Sequence, residues 1–119
     1  MNTRVYIQDE VAVVKPDQKA LYASHKEELN DEIQKLIASG TSKVVLDLDR
    51  VRWLGTAALD NLIGILTAAL KLTQDAGGDL RLAGVNKNLG RFFVVLHLEE
   101  LFEFFDTADA GVASFGAES

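Results

Sequence analysis

Few residues of this chain have types and spacing suited to chemistry, and the most suggestive is a hydroxyl, Thr56, within Trp53-Leu54-Gly55-Thr56-Ala57-Ala58-Leu59-Asp60. It follows a Val/Leu run, Val44-Val45-Leu46-Asp47-Leu48, and precedes a segment rich in Ala and Leu. Val and Leu runs suit a buried pleated surface whereas Ala and Leu suit a helix, so the period changes at Gly55-Thr56 and Thr56 is expected to open a helix. Two roles fit a hydroxyl there. As an N-cap it accepts a hydrogen bond from the backbone two or three residues on, and its removal costs about 1 kcal/mol. As a modification site it suits a phosphate, because free N–H groups and the helix dipole stabilise added negative charge. That phosphate would place a charge of about −1.5 to −2 in the middle of any surface docked on this turn, so one covalent event could release a partner.

Other chemistries find little support. No glycine-rich phosphate loop ending in Lys-Ser/Thr is present, and Gly77-Gly78 reads as a helix stop with no helix after it. His25 falls on a charged helical segment and His97 on a Leu-rich one, neither beside a nucleophile elbow, so both read as structural or surface histidines. Acidic residues are scattered singly along polar faces, which leaves no carboxylate pair for acid/base work. With no cysteine and two isolated histidines there is no zinc cluster and no disulfide frame. The expectation is a protein without catalytic residues, metal or cofactor, and not an enzyme.

Composition narrows the partners. Eighteen acidic against 12 basic residues give a net charge of −6, which repels a phosphate backbone, and no basic stripe interleaved with aromatics offsets it. Nucleic acid is therefore not an expected partner. Met1-Asn2-Thr3-Arg4-Val5 has no apolar signal region, and no segment approaches the roughly 18 apolar residues that cross a bilayer, so no membrane insertion and a cytoplasmic location are expected. At 119 residues, with 48% hydrophobic and 25% charged, the chain is expected to form one domain over residues 1–119.

The elements that must position Thr56 can be read in order. Val5 to Ile7 and Val11 to Val14, separated by Gln8-Asp9-Glu10, predict a hairpin, and Lys15-Pro16-Asp17-Gln18-Lys19 is expected to end it as the first long loop. Between Ser24 and Ser39, Leu29, Ile33, Leu36 and Ile37 recur at helical spacing, with Ser24 and Glu27 forming a capping box and Gly40 a stop. Strand Val44 to Leu48 comes next, then a helix from Thr56 to Gln74 with a stripe of Leu59, Leu62, Ile63, Leu66, Ala69, Leu70 and Thr73. Thr56, Asp60, Gly64, Thr67 and Lys71 share its narrow polar sector. Asp79 to Ala83 alternates as a strand, Asn88 to Leu96 predicts a short helix, Leu101 to Phe105 a strand and Thr107 to Phe115 a last helix. Trp53 and the Phe92, Phe93, Phe102, Phe104 and Phe105 set read as core. Strand and helix alternate after the hairpin, which predicts an α/β fold with a mixed β-sheet covered by helices.

In order and spacing the chain resembles STAS domains, the fold of bacterial anti-sigma factor antagonists and of sulfate transporter tails. The resemblance rests on Val44-Val45-Leu46-Asp47-Leu48, Val51 and Trp53-Leu54-Gly55-Thr56-Ala57-Ala58-Leu59, where the family has a hydrophobic pair, Asp-Ser-Ser/Thr-Gly and Leu. Ala76-Gly77-Gly78-Asp79-Leu80-Arg81-Leu82 and the later Phe93, Leu98, Leu101 and Phe102 also fit. It implies a module that binds a serine/threonine kinase acting as anti-sigma factor, is phosphorylated at Thr56, is reset by a metal-dependent phosphatase, and catalyses nothing itself. Gly55 stands where the family has Asp, and Tyr22 near its loop Asp, so both acidic companions of the acceptor are missing. The expected contact surface comprises Tyr22, Gly55, Thr56, Ala57 and Asp60. A second expectation from the same resemblance is an unphosphorylated adaptor subunit of a transporter or of a multiprotein signalling complex.

Overall fold

The computed structural model describes residues 3–17, 19, 25–52 and 56–116, with side chains for all of these except 26 and 56–62. β1 (Thr3–Gln8) and β2 (Val11–Pro16) form the expected hairpin, paired antiparallel from Thr3 opposite Pro16 to Gln8 opposite Val11. Its two-residue turn holds Asp9 and Glu10 at φ of 51° and 68°. Both values lie in the left-handed region that a tight hairpin turn demands and that Gly or Asn adopts more cheaply. β2 continues past the expected end at Val14 through Lys15 to Pro16, opposite Thr3 of β1. Pairing with β3 has already stopped at Val14, so no ladder bond is lost there.

β3 (Lys43–Asp47) and β4 (Asp79–Ala83) extend the sheet in parallel, and β5 (Phe104–Phe105) closes it, giving the order β1-β2-β3-β4-β5. Parallel neighbours require crossovers, supplied by α1 (His25–Ala38) between β2 and β3 and α2 (Thr56–Asp75) between β3 and β4. Glycine ends both helices. At Gly40 (φ 98°) Thr41 N–H donates to Leu36 O over 2.9 Å, and at Gly77 (φ 85°) Gly78 N–H donates to Thr73 O over 2.9 Å. Gly78 also abuts Ser42, whose carbonyl a Cβ would strike.

Strand alternation sorts the core into two layers. Ala12, Val14, Val44, Leu46, Leu80 and Leu82 face α1 and α2, where they bury Leu29, Ile33, Ile65, Leu66 and Ala69. α3 (Lys87–Val95) adds Leu89 and Phe93 to this layer, and Leu98, in a single 3-10 turn at Leu98–Glu100, adds one more. On the opposite face Val11, Val13, Val45 and Ala83 are covered by α4 (Ala108–Gly116) through Val112 and Phe115.

Two sequence expectations need correction. Phe92 is 40% exposed while Phe93 is buried, because adjacent residues on a helix point about 100° apart and only one can face the sheet. Leu101, Phe102 and Glu103 are likewise not strand: Leu101 is exposed after the 3-10 turn, and only Phe104 and Phe105 pair, with Leu82 and Ala83. Capping-box residue Ser24, and Trp53, lie outside the described residues.

Candidate functional site

Parallel strands deliver their carboxyl ends to one edge of the sheet, and in open α/β sheets that edge is where binding sites form. Lys15 at the end of β2, Asp47 at the end of β3 and Ala83 at the end of β4 mark it here. Val14 pairs with Leu46, so the next positions, Lys15 and Asp47, are neighbours on the α4 side of the sheet. Lys15 Nζ lies 3.8 Å from Asp47 Oδ2 and 3.8 Å from Asp49 Oδ2, while Asp47 Oδ1 accepts the Asp49 backbone N–H at 3.0 Å. Asp47 is buried with one oxygen hydrogen-bonded and the other ion-paired, which makes it a bracket for the turn that leaves β3. Gly84 (φ 70°) allows β4 to leave beside that bracket, since a Cβ would come within 2.8 Å of Asp47 Oδ1 and 2.9 Å of Asp49 N.

The connection from β3 to α2 is anchored along its described length. Leu48 N–H donates to Ala83 O at 2.8 Å, Val51 N–H to Leu48 O at 3.0 Å, and Arg52 N–H to Lys19 O at 2.8 Å. Leu48 and Val51 are fully buried. Asn86 then fastens the connection to α3: its Nδ2 donates to Val51 O at 3.2 Å and Arg52 O at 2.9 Å, and its Oδ1 accepts Leu89 N–H at 2.9 Å as the N-cap of that helix. One side chain therefore holds two elements of the rim.

α2 starts at Thr56, so the hydroxyl residue singled out from sequence opens a 20-residue helix at this edge, with no acidic residue in its first turn. Its dipole is not offset by sequence there. Ala57 and Asp60 fall in the first two turns of the same helix. Tyr22 and Gly55 lie outside the described residues. Farther along α2, Thr67 and Lys71 of the expected polar sector are exposed, and Gly64 is half-buried.

Sequence reading missed Asn86, Lys15 and Asp47. Asn86 suits a turn, and immediately before a helical period it is also an N-cap signal. Asp47 was legible as the one charge inside a Val/Leu run, whereas its pairing with Lys15 depends on strand register.

On the α4 side of the sheet, Tyr6 has its phenol pKa raised above the ordinary value by partial burial, with the carboxylates of Asp47 and Asp109 adding to the effect. His25, buried at the start of α1, and His97, exposed and left-handed at φ 58°, stand on separate elements. Among the described residues no three His, Cys, Asp or Glu side chains converge as metal ligands, and no helix is long and apolar enough to cross a membrane.

A STAS domain family model matches residues 2–111, and the chain belongs to that family. The fold agrees with solved structures at low sequence identity. A Thermotoga maritima protein described as an anti-sigma factor antagonist is 18% identical, with 94% of this chain and 92% of that one covered and a TM-score of 0.79. The anti-sigma factor antagonist SpoIIAA in its unphosphorylated form is 12% identical, with 98% and 97% covered and a TM-score of 0.78. The phosphorylated form of the Bacillus cell fate determinant SpoIIAA gives 12% identity, 96% and 99% coverage and a TM-score of 0.69.

Proposed function

We propose that this chain is a regulatory protein-binding module of the anti-sigma factor antagonist kind. It docks a serine/threonine kinase that serves as anti-sigma factor, at the rim formed by the start of α2. Phosphorylation of Thr56 releases that partner, and a metal-dependent phosphatase restores the binding form. The observation that carries the reading is the position of Thr56 as first residue of α2, at the carboxyl edge of the parallel strands and on a helix end with no acidic residue in its first turn. A phosphate at that end gains from the dipole while repelling whatever surface had been docked. The occurrence of one structural neighbour in unphosphorylated and phosphorylated forms agrees with such a cycle.

The test pairs the purified protein and ATP with serine/threonine kinases of the anti-sigma factor type from the same genome, followed by intact mass and peptide mapping. A single added phosphate at Thr56 is expected, and Thr56→Glu is expected to weaken kinase binding while leaving the circular dichroism spectrum unchanged. An unmodified chain with every cognate kinase sinks the switch. Gly55, in place of the family's Asp, favours a second reading in that event: a constitutive adaptor whose Thr56 grips a transporter or signalling partner without being modified. Under it, Thr56→Ala weakens binding and ATP has no effect.

A further inference from the structure

The sheet ends differently on its two sides, and the longer side is open. β1 is the terminal strand of the order, six residues long, and its outer edge has no partner among the described residues. Val5, Tyr6 and Ile7 along it are 37%, 43% and 56% exposed. Folded proteins blunt such edges with charged side chains, proline or bulges; β1 carries one charge, Arg4, and neither proline nor bulge interrupts its register from Thr3 to Gln8.

Register also fixes which backbone groups are free. A two-residue loop makes Gln8 and Val11 a hydrogen-bonded pair, and such pairs alternate, so Tyr6 and Arg4 also bond inward to β2. Thr3, Val5 and Ile7 then direct their N–H and C=O outward. That row is a template for one more antiparallel strand.

We propose that the added strand is β1 of a second copy of this chain, paired antiparallel across a two-fold axis at Tyr6, so that two five-stranded sheets continue as one. With Tyr6 on the axis, Val5 of each copy lies opposite Ile7 of the other, both with outward-directed backbone groups, as ladder bonds require. The apolar Val5 and Ile7 meet on the α1/α2 side and the two Tyr6 rings on the α4 side. Charge is also complementary. Arg4 lies opposite Gln8 of the second copy, and Gln8 Nε2 is 3.4 Å from Asp109 Oδ1, so each cation comes to face the other copy's acidic start of α4. Identical patches that match in this way close as a dimer and do not propagate, since each copy's other edge, β5, is only two residues long. The pairing leaves the rim around Thr56 to whatever docks there and does not depend on its identity.

Sedimentation equilibrium over a concentration series tests it. The wild-type mass is expected to move from one chain towards two as concentration rises. Ile7→Pro removes an outward N–H that the fold itself does not use, and is expected to hold the protein monomeric with an unchanged circular dichroism spectrum. Val5→Lys with Ile7→Lys is the second variant and should do the same. Arg4→Glu is expected to weaken association at least tenfold and Arg4→Glu with Asp109→Arg to recover it, while Val95→Lys on α3 leaves it alone. A mass of one chain at every concentration overturns the proposal. So does a dimer that survives Ile7→Pro in a folded protein, or a charge swap that fails to recover association.

Discussion

The two faces of the sheet are closed by different physics. Facing α1, α2 and α3 lies a layer built mainly from aliphatic and aromatic burial, continuous from Ala12 to Phe102, in which the buried hydroxyl of Thr73 bonds back to its own helix. Facing α4 the apolar set is small, and beside it sits Arg81, 2% exposed. Its Nε lies 3.3 Å from Asp79 Oδ2 and 3.6 Å from Glu103 Oε2, its Nη1 donates to Ser114 Oγ at 2.7 Å, and the guanidinium stacks 3.9 Å from the Phe115 ring centroid. One helix cannot cover a five-stranded face with apolar contacts alone, so α4 adds two directional contacts to this cation, through Ser114 and Phe115. The first layer tolerates volume-conserving change, whereas the second depends on particular partners.

The largest effects should come from cutting each face at its centre. Leu66→Ala is expected to cost about 2–5 kcal/mol by leaving a cavity among α1, α2 and the sheet. Arg81→Ala should cost about 2–3 kcal/mol, mainly through lost packing under α4 and the lost bond to Ser114, since Asp79 keeps solvent and Ser114 keeps its bond to Gly111 O, and Arg81→Met should recover part of that. Chemical denaturation measures both, and hydrogen exchange separates them: Leu66→Ala lowers protection throughout, Arg81→Ala first in α4. Equal loss throughout the molecule in Arg81→Ala would erase the distinction between the faces.

Next in size is the rim. Asn86→Ala removes an N-cap and two bonds to the β3–α2 connection, and should cost about 1–2 kcal/mol. It should also weaken partner binding by loosening the segment that leads to Thr56. Unchanged binding with the expected loss of stability would restrict Asn86 to α3.

A smaller effect tests how closely α4 sits. A Cβ at Gly111 would lie 3.1 Å and 3.2 Å from the two methyls of Val45, which is fully buried and cannot turn away. Gly111→Ala should therefore cost about 1 kcal/mol, overpacking outweighing its helix propensity. Combined with Val45→Ala it should cost less than the sum of the two single changes, because the new methyl enters the vacated space. Strict additivity would place the strain elsewhere.

The smallest effect concerns pH. Tyr6 is harder to ionise in the folded chain, so its contribution is complete below the ordinary tyrosine pKa and falls as pH rises through the raised value. Tyr6→Phe is expected to flatten that alkaline loss in thermal melts without changing stability at neutral pH. An identical alkaline slope in both proteins would remove Tyr6 as its source.

By itself the sequence determined most of the elements, since each of these carries a local signal, while the 3-10 turn before β5 does not. Leu29, Ile33 and Leu36 keep a helical period, Asp79 to Ala83 alternates, glycine stops α1 and α2, and Thr56 stands where strand period gives way to helix. Family membership followed from the order of the same signals. Tertiary structure decided what depends on register and on opposing surfaces. Lys15 meets Asp47 only because Val14 pairs with Leu46, and Asn86 finds Val51 and Arg52 only because β3 and β4 leave the sheet side by side. Phe92 and Phe93 are the same residue type in adjacent positions, yet one is exposed and the other buried. Composition could not separate them, because the side of α3 that faces the core is the one that carries Leu89 and Phe93, with the Phe93 ring packed on Phe104.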